Sequence, residues 1–132
     1  MIGIDTNVLI RYIVQDDPDQ ANIASQYIEQ NCTVDSPGFI NHIVLCEIVW
    51  VLKRAYKYDK VIIVDVLKKI LMTAEFSIEN SDLVWKAMKE YESGQADFSD
   101  YIIGLSNLQN NCEYTVSFDK SVADFPGFMI LT

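Results

Sequence analysis

Short apolar runs ending on an acidic or turn residue, each followed by residues at helical spacing, recur along the chain and set its fold class. Met1–Asp5 is the first run, and Thr6 to Val14 follows with Val8, Leu9, Tyr12 and Ile13 on one helical stripe. Asp17-Pro18 reads as an N-cap with proline at the first helical position, opening a helix to about Asn31. Thr33–Asp35 reads as a short strand closed by Ser36-Pro37-Gly38, with a long apolar helix expected from there to about Tyr58. Asp59 caps the next helix, whose apolar residues Val61, Ile62, Val64, Val66, Leu67, Ile70 and Leu71 are dense but amphipathic. Glu75–Ile78, Tyr114–Phe118 and Phe128–Leu131 are strand-like. Helices are expected at Asn80–Glu92, ending near Gly94, and from Asp97 or Ser99 to about Gln109, with a helical turn around Lys120–Asp124. Strands alternating with helices predict an α/β fold with a mainly parallel sheet. The 132 residues suit one domain, 1–132, built on a single core.

Half the residues are apolar and 22% are charged, a globular composition without low-complexity segments. No apolar run approaches the roughly 18 to 20 residues of a membrane span. MIGIDTN has no basic region before its short apolar stretch, so no signal peptide is expected. Cys32, Cys46 and Cys112 form no CxxC pair and are odd in number, which fits reduced thiols and a cytoplasmic location.

A net charge of −9 disfavours non-specific binding to nucleic acid. Lys53, Arg54, Lys57 and Lys60 form the one basic cluster, with Lys53 and Lys57 at i, i+4 on one helix face. The cluster suits phosphate contacts, and equally a solvated helix end that complements the dipole. Arg11, beyond Asp5, is a further candidate phosphate contact. In Asp16-Asp17-Asp19, helix capping is the better explanation. His42, the only histidine, reads as structural, and Trp50 and Trp85 as core. Tyr12 and Phe98 are able to stack on a base only if exposed.

The run HIVLCEIVWVL, His42 to Leu52, is apolar nearly all round and so expected to be buried, yet it contains Glu47. Burying an unpaired carboxylate costs several kcal/mol, so an opposing charge is expected beside it. In a parallel sheet, functional groups gather beyond the carboxyl ends of the strands. Asp5 follows the first strand, Asp119 follows Tyr114–Phe118, and Asp97 and Asp100 straddle a helix start. Crowded carboxylates without Cys or His among them suit a hard cation, Mg2+ or Mn2+. Three of the acids have a plainer role as well, Asp5 and Asp119 as turn or cap residues and Asp97 as an N-cap, whereas Glu47 is harder to explain that way.

Four stretches, IDTNVLIRYIVQDDPDQ, VLCEIVWVLKRAYK, ADFSDYIIGLSN and SFDKSVADFPGFMIL, together resemble the PIN-domain ribonucleases in order and over the whole chain. Within that family they are similar to the VapC-type toxins of toxin–antitoxin pairs. The resemblance implies a three-layer α/β/α sandwich and a Mg2+- or Mn2+-dependent endoribonuclease acting on structured RNA such as tRNA or rRNA. It also implies a homodimer neutralised by a cognate antitoxin. By position, Asp5, Glu47, Asp100 and Asp119 match the family's acidic quartet, and Asp97 an additional acid of the subgroup with a DFxxD pattern. Asn7 and Ser117 match polar positions that support the first and last acids. YIIGLSN departs from the family in carrying bulkier residues where small ones are usual. Two other readings use the same acids: a metal-dependent phosphohydrolase or DNA nuclease, and a non-catalytic acidic binding module.

Overall fold

Every strand of the protein pairs in parallel, in keeping with strands separated by helices. The computed structural model describes residues 1–132. The chain divides into two compact units, Met1–Glu79 and Asn80–Thr132.

The first unit carries a three-stranded sheet in the order β1 (Ile2–Gly3), β2 (Gly38–Ile40), β3 (Phe76–Ile78). Its register pairs Ile2 with Gly38 and Phe39 with Ser77. Helices α1 (Thr6–Val14) and α2 (Pro18–Asn31) connect β1 to β2. Helices α3 (His42–Arg54) and α4 (Lys60–Leu71) connect β2 to β3. Local chemistry fixes the starts of these helices. The Asp5 carboxylate accepts the Thr6 N–H at 2.8 Å, and Asp17, ahead of Pro18, accepts from Gln20 N–H at 3.2 Å. Asn41 accepts from Val44 N–H at 2.9 Å, and Asp59 from Ile62 N–H at 3.1 Å. Helix α1 stops where Gln15 turns left-handed, at φ 62°. Leu9, Ile40, Leu45, Ile48, Leu52, Ile63 and Leu67 are fully buried.

The second unit packs α5 (Ser81–Ser93) against α6 (Phe98–Gln109) and pairs β4 (Thr115–Ser117) with β5 (Phe128–Ile130). A short 3-10 helix, Lys120–Val122, lies between those strands in sequence. Gly104 is required on α6 because a Cβ there would stand 2.6 Å from the Phe128 ring and 2.9 Å from Phe125.

Four expectations about these elements fail. Thr33–Asp35 is not a strand; the central strand is Gly38–Ile40. Gly38 was expected in a turn, but it belongs to the ladder. A Cβ at that position would come within 2.5 Å of the Ile4 side chain and 2.9 Å of the Cys32 sulfur, so glycine leaves room for those two side chains to pack against the strand. Helix α3 ends at Arg54 rather than near Tyr58, and it is amphipathic rather than buried all round. Val44, Leu45, Ile48, Val49 and Leu52 face inward, while Ile43, Glu47 and Trp50 are exposed.

Candidate functional site

The positions of Asp5 and Glu47 follow from the topology. Asp5 lies just past the carboxyl end of β1, and Asn41, past β2, starts the helix that carries Glu47. Helix α1 packs on α3, and this brings Asp5 and Glu47, far apart in sequence, onto the wall of one open cleft of about 500 Å3. Asn7 and Arg11 line the same cleft. Thr6 joins the two acids: its backbone N–H is held by Asp5 and its hydroxyl donates to Glu47 Oε1 at 2.7 Å. No spacing rule connects residues 6 and 47, so Thr6 was missed; only the packing of α1 on α3 reveals it. Glu47 is exposed, which corrects the expectation of a buried charge seeking compensation. The case for a cation therefore rests on the acids themselves.

In the second unit Asp97 and Asp100 close a capping box at the start of α6. Asp100 Oδ2 accepts the Asp97 N–H at 3.1 Å. Burial pushes the Asp100 carboxyl above its ordinary pKa, opposed by that hydrogen bond and reinforced by the negative charges of Asp119 and Asp97. Asp119 and Asp97 are thus close enough to Asp100 to repel its charge. Asp119 is held the other way. The Ser121 hydroxyl at 2.7 Å and the Ser121 N–H at 2.9 Å lower its pKa. Ser117 Oγ accepts the Asp119 N–H at 3.0 Å, which shapes the turn after β4. Ser121 was not anticipated, although a hydroxyl two residues beyond a turn aspartate is a common partner.

A hard cation fits the chemistry of these donors, which are all carboxylate oxygens without thiolate or imidazole. Within neither unit, however, do three such side chains converge closely enough to hold an ion.

The remaining candidates fare unevenly. Lys53 and Arg54 end α3, but Lys57 lies beyond the helix with φ 56°, so it shares no helix face with Lys53. Lys60 opens α4. Trp50 is 57% exposed and carries the Arg54 guanidinium 5.3 Å from its ring centre, so it is a surface residue and not core. Trp85 is half-buried. Phe98 is fully buried and unable to stack on a base, and half-buried Tyr12 packs edge-on against Phe76. His42 is tied to the end of β3, its ring Nε2 2.6 Å from the Glu79 carbonyl oxygen and its backbone N–H donating to Glu79 Oε1 at 2.9 Å. No helix is long and apolar enough to cross a membrane.

The cap at Asp97 gives a test that separates charge from hydrogen bonding. Asn caps about as well as Asp, so Asp97→Asn should melt with the native protein, whereas Asp97→Ala should lose about 0.5 to 2 kcal/mol. Denaturant unfolding of both variants measures this. If the alanine variant proves as stable as wild type, the cap contributes nothing.

A VapC ribonuclease of Aquifex aeolicus (strain VF5) is 24% identical to the chain over 117 residues, covering 89% of this chain and 86% of the relative. The profile of the PIN domain matches residues 2–127. With that match over nearly its whole length, and with parallel strands alternating with helices, the chain belongs to the PIN-domain family.

Proposed function

We propose that the protein is a VapC-type toxin: a metal-dependent endoribonuclease that hydrolyses phosphodiester bonds in structured RNA of the tRNA or rRNA class. On this reading it is a single PIN domain that acts as a cytoplasmic homodimer and is neutralised by a cognate antitoxin. The observation that carries the proposal is the PIN match over residues 2–127, with two of the acids picked from sequence, Asp5 and Glu47, lining one cleft. The name of the Aquifex aeolicus relative supports ribonuclease activity.

Asp5, Asp97, Asp100 and Asp119 are the proposed ligands of Mg2+ or Mn2+, and Glu47 is the proposed further catalytic acid. When bound, the ion would offset the negative charge of the acids and polarise the phosphodiester towards attack by water. The chain's own residues hold the acids ready. Thr6 fixes one oxygen of Glu47 and leaves Oε2 to orient a water molecule or accept its proton. Ser121 keeps Asp119 ionised, and Ser117 fixes its backbone. Lys53, Arg54, Lys57, Lys60 and Arg11 supply cations for RNA phosphates.

Incubation of the purified protein with bulk tRNA, rRNA and DNA tests the proposal. RNA should be cut with added Mg2+ or Mn2+ and left intact in excess EDTA. Undiminished cleavage in EDTA would exclude the metal mechanism, and cleavage of DNA in preference to RNA would favour a DNA nuclease using the same acids.

A further inference from the structure

Arg11 lines the cleft that holds Asp5 and Glu47, and it is clamped there more elaborately than a surface charge requires. Its Nε donates to Gln20 Oε1 at 2.7 Å, and one terminal nitrogen donates to Asp16 Oδ1 at 3.1 Å. The second Asp16 oxygen accepts the Tyr56 hydroxyl at 2.9 Å, and Tyr56 lines the same cleft. Asp16 is therefore no helix cap; Asp17 performs that task. The Tyr56 hydroxyl, ahead of Arg11 itself, holds Asp16 below its ordinary pKa, so Asp16 stays ionised. Burial, then the bond to Asp16, keeps the Tyr56 hydroxyl protonated and able to donate.

An arginine–carboxylate pair at the surface contributes little to stability, and the Arg11 side chain is 32% exposed. What the clamp does achieve is orientation. Of the five N–H groups of a guanidinium, two are engaged by Gln20 and Asp16. The others remain on a fixed plane beside two carboxylates that would repel an incoming phosphate. In a chain of net charge −9, such a pre-oriented cation is the natural receptor for that phosphate.

We propose that Asp16 and Tyr56 are positioning residues that hold the Arg11 guanidinium at the Asp5–Glu47 cleft as the receptor for an RNA phosphate. The choice of RNA as ligand rests on the ribonuclease reading; the clamp itself does not.

Fluorescence anisotropy with a labelled 12-nucleotide RNA, in EDTA and at low salt so that binding is read without metal-dependent cleavage, tests this. Arg11→Gln should weaken binding by about tenfold and flatten the log Kd against log salt slope by roughly 0.7, the loss of one phosphate contact on a single strand. Tyr56→Phe and Asp16→Asn should weaken binding by a few-fold each. The double variant Arg11→Gln/Tyr56→Phe should bind no more weakly than Arg11→Gln alone, because Tyr56 acts only through Arg11. A purely structural role would instead lower the melting temperature of Tyr56→Phe and leave its Kd at the wild-type value. That result overturns the proposal, as does wild-type protein that fails to bind the oligonucleotide, or Arg11→Gln that binds it equally well. A parallel cleavage assay in Mn2+ keeps the two claims apart. Arg11-dependent binding without cleavage would uphold the clamp and refute the nuclease, and cleavage with Arg11-independent binding would do the opposite.

Discussion

Asp5→Asn and Asp100→Asn, each removing a proposed metal ligand, are expected to reduce RNA cleavage by more than about a hundredfold, beyond the ten- to hundredfold losses typical of residues outside a metal's own ligand set. Both variants should fold normally. Asp5 is exposed and caps α1 by accepting the Thr6 N–H, a bond that Asn makes nearly as well, so stability should change by less than about 0.5 kcal/mol. Asp100 should behave differently. Its carboxyl has a raised pKa in the folded chain, chiefly through burial, so ionising it costs stability. That cost is absent well below the carboxylate range and fully present once the pH exceeds the raised pKa. Asn removes the charge and still accepts the Asp97 N–H. At neutral pH and without metal, Asp100→Asn should therefore melt at the same temperature as wild type or slightly higher. Rates on tRNA, with thermal melts in EDTA, check both halves. Wild-type cleavage by a folded Asp5→Asn variant would move the site elsewhere.

The second large effect is on stability. Phe98→Ala should destabilise the protein by about 3 to 5 kcal/mol, the usual range for removing a buried aromatic ring from a core. Phe98 is fully buried in the first turn of α6 and meets Tyr91 of α5 edge to face, with ring centres 5.9 Å apart. Helices α5 and α6 pack together through such contacts. A domain of this size should then melt roughly 10 to 20 °C lower. Phe98 lies between Asp97 and Asp100, so the cavity also loosens the capping box, and activity should fall below what the remaining folded fraction explains. Circular dichroism melts and rates normalised to folded protein test this. A melting temperature within about 2 °C of wild type would mean that the ring contributes little to the core.

Helix starts were legible because capping is local chemistry. Asp17 before Pro18, Asp59, Asn80 and Asp97 could be named from a few adjacent residues, and each stands at or beside a helix start. The surroundings of α3 were not legible. An apolar run such as HIVLCEIVWVL shows how much of a helix is able to be buried, not which side finds a partner, so Trp50 and Glu47 were placed inward when both are exposed. The β-branched pair Thr33-Val34 looked like the strand, but the ladder formed at Gly38–Ile40, where a missing side chain admits Ile4 and Cys32. The candidate acids could be picked out because carboxylates beyond strand ends are conspicuous. Their partners could not, since Thr6 meets Glu47, and Tyr56 meets Asp16, only through tertiary packing.

Mn2+ binding by wild type, Asp5→Asn, Asp100→Asn and the double variant, followed by electron paramagnetic resonance, asks directly whether acids from the two ends of the sequence serve one ion. If they do, wild type shows a Mn2+ site that each single variant loses, and the double variant loses nothing further. A single variant that keeps wild-type Mn2+ affinity, or losses that add as from two independent sites, would contradict a shared metal centre.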